Sequence, residues 1–249
     1  MKRPAGLRRR DEEQQEQFFE GFRDRAHAGQ LLAERLSAYA NRADVLVLGL
    51  PRGGVPVALE IAHALHAPLD VLIVRKLPTP GQPELAMGAV ALGGVVVVNR
   101  EIVRELRISE PVLQAVVAEE QQELAQREQR YRGTRPPNDM RDRIVILVDD
   151  GLATGSTMRA AVTALVSQHP ARLIVAVPVA PRWVAQSLRQ QVDEVICLMM
   201  PEPFYAIGQW YEEFLPVSDD EVRRLLAAAA KAAAAPPSDE AEDGHVSHR

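Results

Sequence analysis

Val145 to Met158 reads V-I-L-V-D-D-G-L-A-T-G-S-T-M. Two carboxylates, Asp149 and Asp150, close an apolar run. Aspartate is a poor strand former and adjacent like charges repel, so a pair in this place implies a ligand that collects it. The next residues, Gly151 to Thr157, are small enough to let backbone amides approach an anion. A helix starting near Ser156 adds free N–H groups and the positive end of its dipole. The hydroxyls of Thr154, Ser156 and Thr157 add donors. Asp149 and Asp150 cannot bind the same phosphate, but they can accept hydrogen bonds from sugar hydroxyls or hold a hydrated Mg²⁺. One loop therefore suits both ends of a ribose 5-phosphate. A nucleotide-triphosphate P-loop does not fit, since the string lacks the lysine and its glycine spacing is one residue short. A plain strand–helix turn with a capping aspartate is the bland alternative, and the length of the string disfavours it.

The string V-I-L-V-D-D-G-L-A-T-G-S-T resembles the phosphoribosyl-diphosphate (PRPP) motif of type I phosphoribosyltransferases. The likeness covers about Phe22 to Glu221 and is closest to bacterial members whose acceptor is unestablished. It implies that Asp149 and Asp150 hold the ribose diol and the metal, and that Ala153, Thr154, Gly155, Ser156 and Thr157 hold the 5-phosphate. Gly49-Leu-Pro-Arg52-Gly53-Gly54-Val resembles the family's pyrophosphate loop, with Arg52 supplying charge and Gly53 and Gly54 supplying amides. Family members often have a cis non-proline peptide just before this basic residue, so strain is expected at Pro51–Arg52. Arg75-Lys76-Leu77-Pro78, Glu84 and Met87-Gly88 resemble the two ends of the mobile catalytic loop. There Arg75 or Lys76 would neutralise the departing diphosphate. The loop core T-P-G-Q-P-E-L-A lacks the further basic residue many members carry. Phe204 and Tyr205 would wall the acceptor, with Val179 in Val177–Ala180 offering backbone groups, and Trp210 and Tyr211 packing the hood. Ala153 stands where 6-oxopurine enzymes of the family carry an aspartate.

The activity implied is Mg²⁺-dependent transfer of 5-phosphoribosyl from PRPP to a nitrogenous acceptor, with a nucleobase as one candidate, releasing pyrophosphate. The alternative is a protein of the same fold that binds PRPP as a signal without turnover, and the sparse basic content of the catalytic loop favours it. The resemblance also suggests a homodimer.

These residues must be positioned by strands and helices, and the apolar pattern supplies candidates. Val45–Leu50, Leu69–Val74, Ile144–Val148, Leu173–Val177 and Val192–Leu198 read as buried strands. Helical spacing marks Phe18–Tyr39, Val55–Leu65, Ser109–Tyr131, Ser156–Val166 and Arg182–Leu188. Ser218-Asp219-Asp220-Glu221 is a capping box that opens an Ala-rich helix ending near Ala235. Gly88–Leu92 and Val95–Val98, joined by Gly93-Gly94, read as a hairpin, and Arg75 to Met87, with three prolines, as an exposed loop. Strands alternating with helices give an α/β fold, a parallel sheet flanked by helices with a small hood at about 201–217. Ligands of such sheets bind beyond the carboxyl ends of the strands. Residues 1–17 are expected to be a flexible arm, 18–235 the phosphoribosyltransferase domain with its C-terminal helix at 218–235, and 236–249 a disordered tail.

Bulk properties narrow the class. The net charge of −5 over 249 residues disfavours a nucleic-acid surface. No signal peptide or membrane-length apolar run is present, so a cytoplasmic protein without a membrane partner is expected. The single cysteine, Cys197, excludes an intrachain disulfide and reads as a packed thiol. The six histidines show no zinc spacing.

Overall fold

A computed structural model of the chain describes residues 21–91, 94–133 and 138–234. The expected N-terminal arm, Phe18, Phe19 and the C-terminal tail lie outside these residues. Five parallel strands form the main sheet: β1 (Val45–Gly49), β2 (Leu69–Val71), β6 (Ile144–Val148), β7 (Arg172–Val179) and β8 (Glu194–Met199). Their order across the sheet is β2-β1-β6-β7-β8.

Strand side chains alternate between faces, and both faces are covered, so β1 and β6 are apolar throughout, while charges enter only at Asp70 of β2 and at the first residues of β7 and β8, Arg172 and Glu194. Val45, Val47, Ile144, Ile146, Ile174 and Ala176 face one way, onto α1 (Arg25–Arg35) and α2 (Gly54–Leu65). Leu46, Leu48, Val145, Leu147, Val175 and Val177 face the other, onto α5 (Ser156–Val166) and α6 (Arg182–Leu188). The α1–α2 contact is close: a Cβ on Gly29 would lie 2.6 Å from the Val57 carbonyl oxygen.

Helix α1 is shorter than the apolar spacing suggested. Asp24 caps it, accepting from the His27 N–H at 2.7 Å, so the helix starts at Arg25. Phe22 is extended instead, with its N–H donating to the Trp210 carbonyl at 2.8 Å. Amphipathic spacing cannot distinguish a helical Phe22 from one that joins a strand-like bridge to the hood.

The expected exposed loop at Arg75–Met87 is instead regular structure. β3 (Val74–Thr79), β4 (Gln82–Ala91) and β5 (Val95–Val98) form a separate antiparallel sheet. The prolines fit where a ladder hydrogen bond is not required. Pro78 lies on an edge strand at a register shift, and Pro83 lies in β4 before the stretch, Gly88–Ala91, that pairs with β5. Pro80 and Gly81, the latter at φ 79°, make the turn between Thr79 and Gln82. Proline followed by glycine at positive φ is the signature of a type II turn.

Helix α3 (Arg100–Glu105), which the periodicity did not reveal, follows under an Asn99 cap. Helix α4 (Glu110–Arg132) buries Leu113, Val117, Glu120, Leu124 and Tyr131 on one face. Helix α7 (Asp219–Ala234) starts at the expected box, where Ser218 Oγ accepts from the Glu221 N–H at 3.1 Å. Among the described residues no helix is long and apolar enough to cross a membrane.

Candidate active site

The carboxyl ends of β1 and β6 are neighbours, since Gly49 pairs with Val148. The two loops that leave them are therefore forced together. Gly54 leads α2 and Gly151 leads toward α5, so both strand ends open into helix N-termini. The Pro51–Arg52 peptide is cis.

The glycines of the first loop press on the acid pair of the second. A Cβ on Gly53 would lie 1.8 Å from Asp150 Oδ2, and one on Gly54 would lie 2.6 Å from the Val148 carbonyl oxygen. Gly151 and Gly155 are equally confined, by Ile207 and Val184, each 2.6 Å from where a Cβ would sit. Gly155 also takes φ 70° as the residue before α5, a conformation that favours glycine.

Asp150 is 9 % exposed, and its Oδ2 accepts from Arg25 Nε at 2.8 Å. The same guanidinium donates to the Leu215 carbonyl at 2.8 Å and lies 3.9 Å above the Phe214 ring. The Asp150 carbonyl accepts from the Tyr211 hydroxyl at 2.6 Å. Asp149 Oδ1 accepts from the Asp150 N–H at 2.9 Å. Burial, then the charge of Asp150, pushes the Asp149 carboxyl well above the usual range. Burial also raises Asp150, while the Arg25 charge and hydrogen bond oppose the rise. The pair thus holds a proton more readily than two exposed aspartates. Arg25 lies 125 residues from Asp150 and outside every motif, so no local signal announced it.

Among the described residues no group of three or more His, Cys, Asp or Glu could hold a metal ion alone. Two adjacent carboxylates do fit Mg²⁺, which keeps several waters and takes its other ligands from substrate phosphates.

The loop after β6 borders three cavities. Thr157 lines one of about 350 Å³ that also receives Arg52, Arg127, Arg130, Tyr131 and Asp219. Ala153 and Thr154 line another of about 450 Å³ with Arg182, Trp183, Phe204 and Tyr205. Ser156 lines a third, of about 590 Å³, with Lys76 and Arg159. The structure thus brings Phe204 and Tyr205 to the Gly151–Thr157 loop, and adds Trp183 and Arg182 from the start of α6. Within the loop, Thr154 Oγ1 donates to Ser156 Oγ at 3.2 Å, and Arg159 donates to the Thr154 carbonyl at 2.8 Å.

Arg75 and Lys76 are not brought together. Successive strand residues point to opposite faces. Arg75 shares the face of Leu77, toward α4, and its Nε donates to Glu120 at 2.6 Å. Lys76 points to the third cavity, which Arg52 does not line. The pair is therefore not assembled with Arg52 around one anion. Glu84 lies in β4. Val179 is fully buried against Phe22, Ala28 and Tyr211, and its carbonyl accepts from the Leu152 N–H at 2.9 Å. Its role in the structure is packing, with that carbonyl already engaged. Tyr211 is likewise packed, against Phe22 and Phe214. Burial pushes the Cys197 thiol up to about 11, as suits a packed cysteine.

A family profile for the phosphoribosyl transferase domain matches residues 15–202. "Putative phosphoribosyl transferase Rv0571c" and "Putative phosphoribosyl transferase MT0597", both from Mycobacterium tuberculosis strains, are each 45% identical over 201 residues, which is 81% of this chain. The chain spans 45% of the length of these relatives. The crystal structure of TT1426 from Thermus thermophilus has a TM-score of 0.77 at 42% identity, covering 84% of this chain and 98% of that one.

Proposed function

The chain belongs to the type I phosphoribosyl transferase family, and from that premise we propose that it transfers 5-phosphoribosyl from PRPP to a nitrogenous acceptor, releasing pyrophosphate. One observation carries the reading: the Arg52-Gly53-Gly54 loop is pressed against the Asp149–Asp150 pair so closely that no side chain fits at Gly53. Diphosphate cradle, diol acceptor and phosphate cradle are thereby within one donor's reach of each other.

In this reading the amides and hydroxyls of Ala153 to Thr157 bind the 5-phosphate, aided by the α5 dipole. Asp149 and Asp150 accept from the ribose hydroxyls. Arg25 holds Asp150 in place, which fixes C1 relative to the hood. The bond from C1 to the diphosphate oxygen breaks as the bond to the acceptor nitrogen forms, with inversion at C1; the diphosphate leaves with the bonding electron pair and the nitrogen's proton passes to solvent. Mg²⁺, bound by the acid pair and the donor's own oxygens, would supply charge neutralisation on the diphosphate. The acceptor is assigned to the cavity of Phe204, Tyr205 and Trp183, where a planar nitrogenous ring can stack. A homodimer belongs to the same proposal and is checked by sedimentation velocity.

The test is pyrophosphate release from PRPP with a panel of nucleobases and other amines. Release with at least one acceptor, lowered ~100-fold by Asp150→Asn in a folded protein, supports transfer. Undiminished release from that variant would count decisively against it. The PRPP-sensing alternative has its own observation: Arg75 is already neutralised by Glu120. Calorimetric PRPP binding without turnover for any acceptor selects the sensor.

A further inference from the structure

The cavity lined by Arg52, Arg127, Arg130, Tyr131, Thr157 and Asp219 holds three guanidinium groups against one carboxylate. Two of these arginines, Arg127 and Arg130, come from the last turns of α4, far from the Pro-Arg-Gly-Gly loop. Residues three and four apart share a helix face, so Arg127, Arg130 and Tyr131 reach the cavity together. The helix end is fixed: Arg132 pairs with Asp70 at 2.9 Å and donates to the Val71 carbonyl at 2.8 Å. These contacts tie α4 to the end of β2, beside the loop that carries Arg52.

Asp219, the first residue of α7, collects the cations that face it. It accepts from Tyr131 Oη at 2.6 Å and Arg130 Nη1 at 3.0 Å, and Arg52 Nη1 stands 3.9 Å away. Both arginine side chains are about half exposed. Exposed ion pairs contribute little and exchange readily. A diphosphate brings more charge and more acceptor oxygens than a single carboxylate, and guanidinium groups bind such oxygens in pairs. Arg127 makes no hydrogen bond or ion pair with another described residue.

We propose that Arg127 and Arg130 of α4 are diphosphate-binding residues alongside Arg52, and that Asp219 is an internal anion that occupies their cavity until the donor's diphosphate displaces it. This rests on the transferase reading above. It also gives the departing diphosphate the cations that Arg75, tied to Glu120, and Lys76, in another cavity, do not bring to Arg52.

The test is calorimetric titration of the full chain, with Mg²⁺, using PRPP, inorganic pyrophosphate and ribose 5-phosphate in parallel. Arg127→Gln and Arg130→Gln are each expected to weaken PRPP and pyrophosphate about tenfold and to leave ribose 5-phosphate unchanged. Asp219→Asn keeps an acceptor for Tyr131 but loses the charge, so pyrophosphate should bind about threefold tighter. Unchanged pyrophosphate affinity in both arginine variants, or weaker binding in Asp219→Asn, overturns the inference. Arg127→Gln breaks no hydrogen bond or ion pair among the described residues, so its result does not depend on the fold surviving. If the wild-type chain binds PRPP and ribose 5-phosphate but the arginine variants lose nothing, only this inference fails. If it binds neither ligand, the transferase reading fails with it.

Discussion

The proposed donor side and the proposed acceptor side of the site are built differently. At the strand ends of β1 and β6, every glycine is pressed by neighbouring atoms, and Asp150 is held by Arg25 and Tyr211 and packs closely on Gly53. On the other side, Trp183 of α6 is 59 % exposed and Tyr205 of the hood 76 % exposed, although both line one cavity. A confined site fixes its ligand through backbone and buried charge, so its geometry tolerates little change. An open site holds its ligand through side chains that can be exchanged without cost to the fold. Under the proposed function, the donor is fixed by the confined side while the acceptor is left to a few surface residues.

Breaking the Arg25–Asp150 contact tests the confined side most severely. Arg25→Gln leaves a buried carboxylate without its cation, which costs about 3 kcal/mol. Thermal melting should show this loss, and Arg25→Lys should recover only part of it. Lysine cannot reproduce the planar contacts to Leu215 and the Phe214 ring. Gly53→Ala comes next: its methyl must displace the Asp150 carboxylate, at about 2 kcal/mol and about a tenfold loss of PRPP affinity. A Gly53→Ala protein with wild-type melting and affinity would erase the contrast between the two sides.

The open side predicts the opposite pattern. Tyr205→Ala should change stability by less than about 0.5 kcal/mol. The KM for the acceptor should rise about tenfold while the KM for PRPP stays constant. Steady-state kinetics with both substrates varied makes the distinction.

The smallest effect concerns the α4–α7 contact. Burial, together with the hydrogen bond to Asp219, pushes the Tyr131 hydroxyl up from 10.0 to about 12. The hydrogen bond from Tyr131, then that from Arg130, lowers the Asp219 carboxyl. The sign follows for each partner. The stability from a raised phenol is fully present below its unfolded value and is lost as pH rises through about 12. The stability from a depressed carboxylate is present above its unfolded value and is lost as pH falls through the lowered one. A tyrosinate absorbance titration of wild type against Tyr131→Phe isolates the first of these. A Tyr131 transition at 10.0 would show that α7 is not docked as described.

Elements with local causes are legible in the residues alone. β6 and α5 occupy the expected residues because a continuous apolar run, a small-residue loop and a helical repeat each act over a few neighbours. The same holds for the Ser218 cap and for the β4–β5 hairpin. The β3–β4 pairing is not legible in this way, for a physical reason. Prolines usually mark loops, and whether a proline sits at a sheet edge, where no ladder hydrogen bond is lost, depends on strand order. That order is not written in the segment itself. Helix α1 reads longer in the sequence than it is, because Phe22 is apolar for the sake of Tyr211, not for a helix face.

By itself, then, the order of residues determined a parallel α/β sheet, a small-residue loop led by two acids, and a glycine-rich partner loop, because backbone geometry and side-chain period are short-range properties. Only tertiary structure decided that Arg25 holds Asp150, that Arg75 and Lys76 face apart, and that Arg127, Arg130 and Asp219 share a cavity with Arg52. Arg25 and Asp150, for example, meet across 125 positions of chain. A charge is soluble wherever it lies on a surface, so its sequence neighbours impose no partner, and packing of the elements alone selects one.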